Sequence, residues 1–171
     1  VRLLYTVHQE RKNLIVVREG DSDEDGSALY EGERIDLWWS GGGGNEGLML
    51  ALAYMLTRSE GWRRATLNLK SIVRDPAETE DVRTRLLDFI ETARLDARAE
   101  VLTEPDADLF ACIREQSRGA DLVFLGVRAP DQAENEDDYC AYYRNLLRQT
   151  ADMPALALSM AAENIDFSSI F

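Results

Sequence analysis

The chain has 171 residues, 45% of them hydrophobic, enough to bury one good core and most simply a single domain. Its 32 acids against 19 bases leave a net charge of −13, which argues against a nucleic-acid binder or a protein docking on anionic lipid, since both need clustered Lys and Arg. The longest apolar run, Gly47 to Leu56, is far short of the roughly 20 residues of a membrane span, and no leader segment opens the chain, so no direct membrane insertion is expected.

Taken in chain order, Leu3 to Glu10 reads as a short helix and Asn13 to Arg18, rich in Val and Ile, as a strand. That strand precedes the regular region with no helical crossover, so it is expected antiparallel at an edge or paired with another chain. Glu19 to Glu33 is acidic, glycine-bearing and without period, and reads as a loop. Within it Asp21, Asp23, Asp25 and Gly26 alternate like the start of a calcium loop, but the bidentate acid would fall on Gly32. A solvated acidic loop is the better reading, and no metal site is expected.

From Ile35 the pattern becomes regular. Strands are expected at about 35–39, 65–73, 97–103, 120–127 and 154–161, with helices at about 46–59, 78–94, 107–117 and 136–151. Strand alternating with helix implies right-handed crossovers and a mostly parallel five-stranded sheet inside a three-layer α/β sandwich. Residues 1–34 form an N-terminal helix, edge strand and acidic loop; 35–171 form the α/β domain. Ile35-Asp-Leu-Trp-Trp39 is bulky and largely apolar, as a strand covered on both sides must be. Trp38 and Trp39 should point to opposite faces; both can be buried beneath helices, or one can anchor an interface.

The second crossover helix has the clearest start signals. Asp75 is the expected N-cap, Pro76 takes the first position and Glu78 can close a capping box. Val82, Leu86, Phe89, Ile90 and Ala93 form its stripe. The last helix places Tyr139, Tyr143, Leu146 and Leu147 on one side, behind an acidic first turn, and Pro154 ends it. Cys112 and Cys140 fall inside predicted helices with no paired spacing, which reads as core packing in a reducing compartment. Lys12 and Lys70 are the only lysines, a balance that suits a salt-rich cytoplasm or, equally, a GC-rich genome.

One stretch could carry a ligand. Ser40, the glycines Gly41, Gly42, Gly43 and Gly44, and Asn45 open a helix, where free N–H groups and the helix dipole favour an anion. The loop beginning at Gly126 follows the fourth core strand, so the two loops flank the switch point of the sheet. The spacing matches neither a Lys-Ser/Thr phosphate loop nor a dinucleotide fingerprint. A turn that lets the helix pack tightly on the sheet is the stronger reading. His8, the one histidine, lies outside the α/β core, so no Ser-His or Cys-His pair can be assembled. No enzyme and no cofactor are expected.

The Ile35-Asp-Leu-Trp-Trp39 sequence, its glycine-bearing turn and the following Leu48-Met-Leu-Ala-Leu-Ala-Tyr-Met-Leu-Thr57 resemble the cytoplasmic C-terminal domain of the cation-chloride cotransporters, the Na-K-Cl and K-Cl family. Ala120 to Gly126 resembles the family's late strand, Tyr142 to Leu158 its last helix and strand, and Ile165 to Phe171 its short apolar C-terminus. The resemblance implies the second of two α/β halves, each similar to the universal stress protein fold, with strand order 3-2-1-4-5. It implies a non-catalytic regulatory and assembly domain whose partners are a second copy and the transmembrane portion of the same polypeptide, on the cytoplasmic side of the membrane. Trp38, Trp39, Ile165, Phe167, Ile170 and Phe171 are its candidate interface residues. This chain departs from the animal members of the family, which tend to carry acidic residues in the turn after the tryptophans, in having Ser40 and then Gly41 to Gly44. It also has a short acidic loop, Asp131 to Asp138, in place of long phosphorylatable insertions, so kinase regulation is not carried over. The stress-type nucleotide binders carry a second glycine-rich phosphate loop, where this chain has Gly126-Val-Arg-Ala-Pro-Asp131 and then acids. A free-standing nucleotide sensor of that type is the alternative reading.

Overall fold

A computed structural model describes residues 2–20, 32–41, 44–104, 108–131 and 133–163. The calcium-like alternation at Asp21 to Gly26, Gly42, Gly43, and the apolar residues Ile165, Phe167, Ile170 and Phe171 all lie outside the described residues.

Helix α1 (Arg2–Gln9) leads into strand β1 (Leu14–Arg18). Then follow β2 (Arg34–Trp38), α2 (Glu46–Thr57), β3 (Thr66–Val73), α3 (Thr79–Thr92), β4 (Ala97–Thr103), α4 (Leu109–Gln116), β5 (Leu122–Gly126), α5 (Glu136–Gln149) and β6 (Leu156–Met160). They form one six-stranded sheet in the order β1-β6-β5-β2-β3-β4. Five strands run parallel, ordered β4-β3-β2-β5-β6, which is 3-2-1-4-5 when counted from β2. β1 joins β6 antiparallel, with Leu14 opposite Met160 and Arg18 opposite Leu156. The N-terminal strand is thus the sixth strand of the same sheet, at its edge.

β2 is central because its two neighbours, β3 and β5, are reached by crossovers on opposite sides of it; Ile35 lies opposite Leu67 on one side and Leu122 on the other. Its side chains alternate between two cores. Ile35 and Leu37 join Met49, Leu50 and Ala53 of α2 and Leu86 and Ile90 of α3. Trp38 joins Ile113 of α4, Tyr139, Tyr143 and Leu146 of α5, and Leu4 of α1. Trp39 lies half-buried on the α2–α3 side, 4.7 Å from the Phe89 ring. The two tryptophans therefore diverge to opposite faces. Trp38 is 6% exposed and spent inside its own chain, so it offers no surface to a partner.

Asp75 and Pro76 take the expected N-cap and first positions, but of a 3₁₀ turn, Pro76–Glu78, with Asp75 accepting from Ala77 N at 2.9 Å; α3 begins one residue beyond with no side-chain cap. Leu147 faces outward and Cys140 takes its place on the buried side of α5. A helix's 3.6-residue period leaves the edge of its apolar stripe undefined, and neighbouring elements decide which residue is covered.

Candidate functional site

The structure brings Asn45, at the end of the glycine turn, against Gly126 and Val127 at the start of the second predicted ligand loop. Gly41 and Gly44 have φ of +80° and +72°, the left-handed turn that only glycine adopts without strain. The turn delivers Asn45, 6% exposed, into the crevice between the carboxyl ends of β5 and β6. Its amide nitrogen donates to Val127 O at 2.9 Å and its amide oxygen accepts from Ala161 N at 2.7 Å. Asn45 therefore makes no side-chain cap to α2; it ties three chain segments instead. Gly126 is what admits it, since a Cβ there would stand 2.9 Å from the Asn45 amide nitrogen. Glu46, also buried, places a carboxylate in the first turn of α2 and accepts from the Ser40 hydroxyl at 3.0 Å. The positive end of that helix already has its anion.

Arg128, next in sequence to Val127, is engaged as well. Arg128 makes paired bonds to Glu134 at 2.6 and 2.7 Å, and its guanidinium lies 4.2 Å from the Tyr142 ring centroid. Cavities of about 500 to 710 Å³ whose walls do not include Ser40, Asn45 or Gly126 open among the described residues. Of the sequence-predicted ligand residues, Asn45 and Gly126 meet as a packing joint, while Ser40 and Gly41 are exposed.

The most chemically loaded cluster is one the sequence reading missed. Arg34, Asp36 and Trp38 share one face of β2. Asp36 is fully buried, and its carboxylate accepts from Arg34 Nε at 2.9 Å, Arg34 Nη2 at 2.8 Å, Asn68 Nδ2 at 2.9 Å and Ser117 Oγ at 2.9 Å. Lys70 Nζ stands 3.4 Å away, paired also with Glu100 at 3.0 Å. Ser117 in turn accepts from Trp38 Nε1 at 2.9 Å, while Arg34 and Lys70 both donate to Gln116 O at 2.7 and 3.1 Å. Burial pushes the Asp36 carboxyl upward, but the bonds from Arg34 and Asn68, the Lys70 charge and the Ser117 hydroxyl outweigh it. Its pKa lies below the ordinary carboxylate value.

This cluster borders an open cavity of about 580 Å³ that Arg34, Asn68, Lys70, Arg98 and Glu100 help to line. Its chemistry is that of a joint. A carboxylate whose lone pairs are all taken and whose pKa is depressed cannot serve as a general base near neutral pH. Two acids, Asp36 and Glu100, balance Arg34 and Lys70. The network fastens the C-terminal end of α4 to the central strand. Two signals could have revealed it: an aspartate between Ile35 and Leu37, and a lysine inside the apolar strand β3. Both are charges that burial tolerates only in company.

His8 lies on α1 and lines a cavity with Tyr5, Asp131 and Glu134, and among the described residues no group of three His, Cys, Asp or Glu is placed to hold a metal. Burial pushes the half-buried Cys112 thiol up, away from reactivity.

No protein-family model matches the sequence, and no curated protein is similar to it in sequence. Among solved structures, the crystal structure of the cytoplasmic domain of a prokaryotic cation chloride cotransporter matches with a TM-score of 0.68 and 16% identity. The match covers 99% of this chain and 60% of that one, so the chain spans under two thirds of the neighbour's length. No helix among the described residues is long and apolar enough to cross a membrane. The chain has the fold of a cotransporter cytoplasmic domain.

Proposed function

We propose that this chain is a non-catalytic cytoplasmic domain of a cation-chloride cotransporter, acting in regulation and assembly. The observation that carries the reading is the fold match over 99% of the chain, joined to a sequence resemblance centred on Ile35–Trp39. The closed crevice at Asn45 supports it, because a nucleotide sensor would need that space. The saturated Asp36 supports the non-catalytic part. Ion translocation belongs in this reading to a membrane portion of the same polypeptide, and the domain's partners are that portion and a second copy of itself.

The test is chloride flux by the full-length protein in lipid vesicles. Flux that depends on a monovalent cation and changes in rate when this domain is deleted is the expected result. A full-length protein with no cation-dependent chloride flux refutes the proposal.

A further inference from the structure

The open cavity beside Asp36 has a wall built by three strands. Asp36, Asn68 and Arg98 are directly opposed across β2, β3 and β4, and so are Trp38, Lys70 and Glu100. Opposed residues share a face of the sheet, so these polar side chains stand together on one side of it. The cavity holds about 580 Å³, and Thr66 of β3 and Gln116, the last residue of α4, line it too.

The charges on this wall do not cancel. Asp36 is answered by Arg34 and Lys70, and Glu100 by Lys70 at 3.0 Å. Arg98 is left over. It is exposed, it lines the cavity, and among the described residues no hydrogen bond or ion pair holds its guanidinium. The side chains of Thr66 and Gln116 likewise make no hydrogen bond among the described residues. Arg34, Lys70 and Arg98 against Asp36 and Glu100 leave one net positive charge here, on a chain that carries −13.

We propose that this cavity binds a small soluble oxyanion, a ligand presenting a phosphate or carboxylate group, with Arg98 as its principal contact. A guanidinium offers a planar fork of N–H donors that matches two oxygens of such a group. The Thr66 hydroxyl and the Gln116 carboxamide can donate from the same wall. Buried Lys70 has its donors committed to Asp36, Glu100 and Gln116 O, so it supplies positive field rather than a bond. The negative end of α4 does not oppose the anion, because Arg34 and Lys70 already cover Gln116 O. A charge on the edge strand β4 also discourages pairing at that edge, but this would need neither Thr66, Gln116 nor a cavity. The site stands apart from the transporter reading, since the cavity alone carries it.

Amide NMR of the 171-residue chain at pH 7 tests it, titrating sodium phosphate and, separately, sodium succinate, with sodium chloride holding the ionic strength fixed. Saturating shifts at the Thr66, Arg98 and Gln116 amides in at least one series are expected, and the two series tell a phosphate preference from a carboxylate one. Arg98→Gln is expected to raise the dissociation constant about tenfold, the loss of a charge-assisted contact. Arg144→Gln removes the same charge from the exposed side of α5 and is expected to leave binding unchanged. Both arginines are exposed, so both variants keep the wild-type circular dichroism. Shifts that stay linear in both series overturn the site. Binding that survives Arg98→Gln, or that weakens equally in the two variants, overturns it as well.

Discussion

Asp36 sits at the middle of the central strand with five polar atoms turned towards its carboxylate, and the stability it contributes depends on both its charge and its neighbours. Asp36→Asn removes the charge and leaves Arg34 and Lys70 facing each other. Breaking a buried pair in this way costs about 3 kcal/mol or more, measurable by urea unfolding at pH 7. The pH dependence has a fixed sign. Because the folded-state pKa is depressed below the unfolded value of about 3.9, the contribution is complete above about pH 5 and drains away as pH falls through 4 towards the folded value. Unfolding measured from pH 6 to 3 is expected to fall more steeply for the wild type than for Asp36→Asn. Equal slopes would show that Asp36 is not the group responsible.

Gly126 and Asn45 make the second residue-scale case. Gly126→Ala thrusts a methyl against the Asn45 amide and is expected to cost about 1–3 kcal/mol by overpacking. Asn45→Ala leaves Val127 O and Ala161 N without their partner, at about 2 kcal/mol. If either change is neutral in thermal unfolding, the joint does not hold the crevice closed.

Among the elements, the βαβ reading of Ile35 to Leu69 was legible because bulky residues, a glycine turn and a run of strong helix formers follow one another locally. The edge strand was legible for the same reason: Val and Ile in a short run with no crossover after it. What could not be read was anything made by partners distant in sequence. Asp36 finds Asn68 and Lys70 on β3 and Ser117 after α4, and no spacing rule links those positions. Asn45 looked like a ligand residue because it opens a helix after glycines; only the return of β5 and β6 beside it gives its amide two backbone partners. Local chemistry was shared by the two readings, and the packing of Asn45 against Val127 and Ala161 favours the turn that the sequence already preferred. The consequence for α2 is direct. With Glu46 and Asn45 filling its N-terminal end, calorimetry with ATP and ADP is expected to show no binding tighter than about 10 μM, roughly −7 kcal/mol. Tighter binding would reopen the crevice as a nucleotide site.

For the molecule as a whole, the charge of −13 is a self-repulsion that salt relieves. The melting temperature is expected to rise by a few degrees between about 0.05 and 0.5 M sodium chloride, as the Debye length shrinks from roughly 14 to 4 Å. A flat or falling response would place the dominant electrostatic contribution in local ion pairs such as Arg128–Glu134. At this scale the fold is that of a cotransporter cytoplasmic domain, and the proposal that the chain works as one is tested most directly by sequencing the complete gene around it. The account predicts an upstream reading frame with repeated apolar runs of about 20 residues each, the membrane portion to which this domain belongs. A complete reading frame without such runs would contradict it.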